Sequence, residues 1–384
     1  MSTLTTKLDS ADFISAHPMG GGGVISFPGI QTGINLTTVE TKTTVAILSK
    51  ESKAVKGMNT RVFTSKKPFK LEAGDTLPGI DITYSVYGDE GKKGKKVLWV
   101  IHALTANSDP FEWWDGLVGP GKMFDPAEYY IICANNLGSC YGTTGPTSTI
   151  PGTHTTFGKS FPLITTRDMT QALDLLRQHL KIEKINVLIG GSMGGQISLG
   201  WAISKPELVE YLIPIATNAR HSAWGIAFNE AQRLALHGNE MGLQAARAIA
   251  LLSYRGYDAF EKAQTDTIEK IDYFRASSYQ QYQGEKLAKR FDSNSYYTLS
   301  KAMDSHNVGR ERGSIEKALS LIKAKTLVIG LSSDILFPVR EQKFLQEHIS
   351  GAQLAVLESD YGHDGFLIEY EQLNKVIGEF LGGE

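Results

Sequence analysis

Three residues of this chain, Ser192, Asp334 and His363, have the types and the order of a nucleophile, an orienting carboxylate and a base. A serine hydroxyl is a weak nucleophile until an imidazole takes its proton, and the imidazole needs an acidic partner to hold its tautomer. Ser192 stands inside Gly190-Gly191-Ser192-Met193-Gly194-Gly195, a G-x-S-x-G pattern. Apolar strand formers (Ile185, Val187, Leu188, Ile189) precede it, and a helix-like stretch with Ile197, Leu199, Trp201 and Ala202 follows. That context predicts a tight strand-to-helix turn that lifts the hydroxyl above the carboxyl edge of a sheet. The same turn aims the amide of Met193 at the same space, as an oxyanion donor beside a helix N-terminus. The plainer reading is a glycine-rich connection whose serine caps the helix. The other two residues favour chemistry. Asp334 comes just after the apolar run KTLVIGL and His363 just after AQLAVLE, each past a carboxyl edge. The second oxyanion donor is expected from the loop after VLWVIH, at the amide of Leu104, with His102 as a structural hydrogen-bonding group.

These positions need a sheet to hold them. IDITYSVYG (80–88) alternates like a strand, and KKVLWVIHAL (95–104), YYIICANN (129–136), INVLIG, YLIPIAT (211–217), KTLVIGL (325–331) and AQLAVLE (352–358) read as buried strands. RDMTQALDLLRQHL (167–180) reads as a helix before the serine strand. Strands alternating with helices predict an α/β fold with a mostly parallel sheet covered on both faces. Roughly 100 residues separate YLIPIAT from KTLVIGL, too many for a plain connection. Their composition is helical, so 219–318 is expected to be an inserted helical lid, with 61–218 and 319–384 as the core. Residues 1–60 are rich in Thr, Ser and Gly without an apolar period and read as a poorly ordered extension.

Bulk properties narrow the classes. The chain has 384 residues, 41% hydrophobic and 21% charged, with formal net charge −2. It carries no basic footprint for nucleic acid, and no apolar run long enough for a membrane span. The N-terminus lacks the basic and apolar regions of a secretory signal, which points to the cytoplasm. The two cysteines, Cys133 and Cys140, are too few for a disulfide framework and read as small buried thiols. Nothing in the pattern calls for a metal or a bound cofactor.

At this level the chain resembles the homoserine O-acetyltransferases, acyl-CoA-dependent enzymes of the α/β-hydrolase fold. The resemblance covers roughly residues 68–382. It is carried by HALTANSD, GPGKMFDPAEYYIICANNLGSCYGTTGP, FPLITTRDM, GGSMGG, ARHSAWGIAFNEAQR, SYRG, the stretch from SSYQQYQG to DSHNVGRERG, SSDILFP and YGHDGFL. Departures from the family pattern are Ala106 for Gly, Ser253 for Thr, Asn307 for Asp and Glu311 for Gly. The resemblance implies a double displacement: acetyl-CoA, as co-substrate, acylates Ser192, and L-homoserine takes the acyl group. It implies that Arg255 of SYRG meets the acceptor carboxylate and Asp364 its ammonium, two roles the residues alone do not single out. It also implies that the lid narrows access to the acyl-serine. The lid's apolar positions Leu234, Ile249, Leu251 and Leu252 fit a homodimer interface. Succinyl-CoA as donor, serine as acceptor, and a plain serine ester hydrolase stay open at this point.

Overall fold

A computed structural model describes residues 60–88, 94–236 and 241–382. The segment read as an extension therefore lies outside the described residues, save Thr60. In chain order the elements are β1 (Thr60–Ser65), β2 (Phe69–Lys70), β3 (Thr76–Leu77), β4 (Ile80–Tyr87), β5 (Lys96–Ile101), α1 (Pro110–Trp113), β6 (Tyr129–Ala134), α2 (Thr166–His179), β7 (Ile185–Gly191), α3 (Met193–Ser204) and β8 (Val209–Ile215). Then follow α4 (Ala223–Leu236), α5 (Gly242–Tyr254), α6 (Tyr257–Gln264), α7 (Arg275–Ala288), α8 (Ser293–Asp304), α9 (Ile315–Leu319), β9 (Lys325–Leu331), α10 (Val339–His348), β10 (Gln353–Leu357) and α11 (Tyr370–Gly382).

Among the described residues the main sheet has eight strands in the order β1-β4-β6-β5-β7-β8-β9-β10. The pairs from β6 to β10 are parallel, while β1–β4 and β4–β6 are antiparallel. Side chains of each strand alternate between two cores: Trp99 and Ile101 of β5 enter one, Leu98 and Val100 the other. Covering both faces is what turns these strands into apolar runs. The structure adds β1, where the sequence shows no regular pattern before residue 68. β1 is an edge strand whose side chains are mostly exposed, so it carries no core stripe to read.

Helices α4 to α8 stand between β8 and β9. Of these, α5, α7 and α8 are welded to the sheet, because Leu243, Ala246, Leu287, Tyr296 and Leu299 belong to the same buried cluster as Trp99 and Ile197. Leu251, one of the candidate interface residues, is fully buried, on the inner face of α5 with Ala250. Leu234 and Leu252 are exposed, and Ile249 is half-buried. α2 opens on a capping box: the Thr165 hydroxyl accepts from the amide of Asp168, whose carboxylate accepts from the amide of Thr165. Cys133 is buried as expected, whereas Cys140 is half-buried; desolvation pushes the thiol of Cys140 up to about 11 and that of Cys133 well above its ordinary value. Among the described residues no helix is long and apolar enough to cross a membrane.

Three histidines are locked in this interior. Burial lowers the pKa of His102 and His221 to about 4 and that of His306 to about 3. His306 is bonded to the backbone carbonyl of Asn218 at 3.0 Å and the Thr166 hydroxyl at 3.2 Å. In the unfolded chain all three take protons near pH 6.5, so between there and about pH 4 the unfolded state binds more protons. Stability is therefore lost as pH falls through that window, by roughly 3 kcal/mol for a histidine depressed to about 4. Melting temperatures measured from pH 7.5 to 4 should fall steadily. His306→Gln should lower Tm at pH 7.5 yet show a shallower fall on acidification. An equal slope would mean that His306 does not contribute to the acid sensitivity.

Candidate active site

Ser192 is the residue between β7 and α3, and its backbone has φ 57° and ψ −123°. A non-glycine residue at positive φ is strained, and the surroundings enforce it here. The Ser192 amide donates to the carbonyl of Ile215 on β8 at 2.9 Å. Its carbonyl accepts from the Thr217 hydroxyl at 2.9 Å. Gly194 then passes so close to β5 that a Cβ there would lie 2.2 Å from the carbonyl oxygen of Ile101. The strand, the sharp turn and the small residues are thus parts of one packing solution. Met193 is the first residue of α3, so its amide is one of those that a helix N-terminus leaves without an intrahelical partner.

His363 and Asp334 meet across two loops. The Nδ1 of His363 lies 2.7 Å from Oδ2 of Asp334. The other carboxylate oxygen accepts from the amides of Leu336 and Phe337, at 2.8 and 2.9 Å. A buried carboxylate so satisfied is fixed in place. The two loops are tied by Ser333, whose hydroxyl accepts from the Gly362 amide at 2.9 Å and donates to the carbonyl of Ser359. Rings of Phe337, Phe366 and Tyr254 surround the imidazole, with centroids 5.1, 5.5 and 5.7 Å away. Asp360, three residues before His363, is exposed.

The loop after β5 is pinned at several points. His102 Nε2 accepts from the amide of Asn136 at 3.0 Å, so Nδ1 carries the proton and donates to the carbonyl of Ala103 at 2.8 Å. The indole of Trp113 donates to the carbonyl of Asn107, and Arg290, from beyond α7, donates to the carbonyl of Thr105 at 2.6 Å. Leu104 lies inside this fixed stretch.

Ala103, Leu104, Trp113, Ser192, His363 and Phe366 line a recess of about 480 Å³, solvent space included, together with Asp364, Tyr254 and Arg247. Arg255 is absent from that lining. Its Nε is 2.9 Å from Oδ2 of Asp364, an ion pair with both side chains buried. Arg247, 3% exposed, is the guanidinium that borders the recess, with its charge 5.6 Å from the centroid of Tyr254. The sequence held a signal for it. Arg247, Ala250, Leu251 and Tyr254 recur at the spacing of one helical face, so Arg247 is a charge on the apolar side of α5.

The matched model of the alpha/beta hydrolase fold spans residues 96–370. A homoserine O-acetyltransferase of Cyclobacterium marinum is 46% identical over 334 residues, which are 84% of this chain and 95% of that protein. One from Chlorobium chlorochromatii is 41% identical over 86% of this chain and 98% of its own length. The chain belongs to the homoserine O-acetyltransferase family. Membership makes it an acyltransferase. The solved homoserine O-acetyltransferase of Bacillus anthracis is 25% identical with a TM-score of 0.77, covering 84% of this chain and 97% of that one. A solved esterase, E22, has a TM-score of 0.75 at 23% identity, covering 84% of this chain and 100% of its own. Transferase and esterase therefore share this backbone, and the side chains must separate them.

The lid meets the loop that carries His363 at Gly256, just past α5. A Cβ on Gly256 would lie 2.0 Å from the carbonyl oxygen of Asp360. Backbone cannot yield as a flexible side chain does, so the contact fixes Arg255 and Asp364 relative to each other. Gly256→Ala should cost about 1–3 kcal/mol through overpacking and displace the His363 loop. The expected result is a lower Tm and at least a tenfold lower kcat. A variant with parental Tm and kcat would show that this contact has slack.

Proposed function

We propose that the enzyme moves an acetyl group from acetyl-CoA to the side-chain hydroxyl of L-homoserine by double displacement at Ser192. What carries the reading is one recess bordered by a serine, a histidine and two opposite charges, Arg247 and Asp364. A zwitterionic amino acid needs both charges, and a simple ester needs neither.

His363, oriented by Asp334, takes the proton of Ser192 as Oγ attacks the thioester carbonyl. The amides of Leu104 and Met193 hold the oxyanion. The C–S bond breaks, and coenzyme A leaves with the proton that His363 returns. The homoserine hydroxyl then gives its proton to His363 and attacks the acyl carbon. The ester bond to Ser192 breaks, and the serine recovers its proton. Arg247 pairs with the acceptor carboxylate through its planar fork, and Asp364 with the ammonium. Arg255, the sequence's candidate for the carboxylate, instead orients Asp364. Enclosure of His363 by aromatic rings keeps water from the acyl-serine. A homodimer built on the lid belongs to this reading, supported by the exposed Trp224, Leu234 and Leu252; sedimentation of a monomer would remove it.

The test compares acetyl-CoA and succinyl-CoA, each with homoserine, serine or water, by thiol release and product mass. Acetyl-CoA with homoserine should be the fastest pair. Ser192→Ala should release no thiol even without acceptor, and Asp334→Asn should lose about 10³–10⁴ in turnover with its circular dichroism unchanged. Arg247→Ala and Asp364→Ala should still acylate Ser192 but raise the homoserine KM and let acetyl-Ser192 accumulate. An unpaired charge in a partly dried site costs roughly 2–5 kcal/mol. Deacylation rates independent of homoserine in the parent would sink the transferase reading and leave an ester hydrolase.

A further inference from the structure

A second recess, of about 570 Å³ with its solvent space, adjoins the first. The two share Ala106, Trp113 and Arg247 in their walls, so they lie side by side, with Ser192 in the wall of the first. The inner part is mostly apolar, with Ala103, Leu104, Trp113 and Phe366. The outer part is cationic. Lys286 and Arg290, both half-buried, line it together with the buried Arg247, against a single acidic side chain, the exposed Glu112.

Lys286 lies on α7, and Arg290 stands two residues beyond that helix. Arg290 also holds the oxyanion loop through the carbonyl of Thr105 and donates to the Tyr141 hydroxyl at 2.6 Å. Arg290 is thus anchored to the same loop that carries Leu104. An elongated ligand with an apolar reactive end and an anionic far end matches this order of surfaces. A free amino acid is too short to use both parts, and its charges are met beside Ser192.

From this order we infer that Lys286 and Arg290 form a diphosphate subsite for the far end of the acyl donor. The inference rests on the acyl-CoA reading above, with coenzyme A as the ligand of that chemistry. The charge balance of the recess makes the subsite sensitive to salt, because screening weakens such contacts at half-buried side chains. Arg247 stays with the acceptor, at the junction of the two parts.

Binding to the parent enzyme tests it without turnover, by titration calorimetry with coenzyme A, dephospho-coenzyme A and pantetheine. Coenzyme A and dephospho-coenzyme A, which both keep the diphosphate, should bind at least tenfold more tightly than pantetheine. Their advantage should shrink as salt rises from about 50 to about 300 mM. Lys286→Gln should weaken coenzyme A about tenfold and pantetheine less than twofold, and Lys286→Arg should restore most of the loss. Inorganic pyrophosphate should compete with coenzyme A. Equal weakening of both ligands by Lys286→Gln, or no weakening, would overturn the subsite. So would dephospho-coenzyme A binding no better than pantetheine. The donor reading fails separately: coenzyme A that binds through Lys286 while acetyl-CoA leaves Ser192 unacylated would keep the subsite and remove acetyl-CoA as donor.

Discussion

A serine held at positive φ is the constraint from which the site is built. Such a backbone costs energy of order 1–3 kcal/mol and persists only where the surroundings over-determine it. Here β8 takes the Ser192 amide, Thr217 takes its carbonyl, and β5 presses on Gly194. Each of these contacts depends on parallel strands buried on both faces. The sheet's two cores therefore act on Ser192 directly, because loosening either one gives the strained turn room to relax.

His363, the proposed base, depends on a different device. Asp334 and His363 sit on separate loops after β9 and β10, and loops are the mobile parts of most folds. Ser333 ties the two loops together, two backbone amides hold Asp334, and three aromatic rings enclose the imidazole. The lid adds a backbone contact at Gly256. It is a fixed wall rather than a separate cap, since its helices share buried side chains with the sheet.

In the proposed reaction that wall also carries the charges that an amino-acid acceptor needs. The triad and the elbow serve either reaction. The lid supplies Arg247 to the recess and Arg255 to Asp364. At 3% exposure Arg247 is screened little by water, so a carboxylate that reaches it is held more firmly than one at a surface arginine.

Much of this was written in the sequence. Strands β4 to β10 were legible because burial on both faces forces apolar runs, and the elbow because its glycines sit at fixed offsets from Ser192. The triad candidates followed from order and strand context together, since each loop comes after its own strand. The edge strand β1 was not legible, because its exposed side chains leave no period. Leu251 looked like interface because an apolar helix position does not say which neighbour covers it. Arg247 and Arg255 show the limit most clearly. Both are arginines in or just after α5, eight residues apart, and composition treats them alike. Which one lines the recess with Ser192 and which one meets Asp364 was settled only by where the end of α5 turns against the His363 loop at Gly256. Facing direction is a property of packed elements, and a single chain records it only where a helical face already carries a pattern.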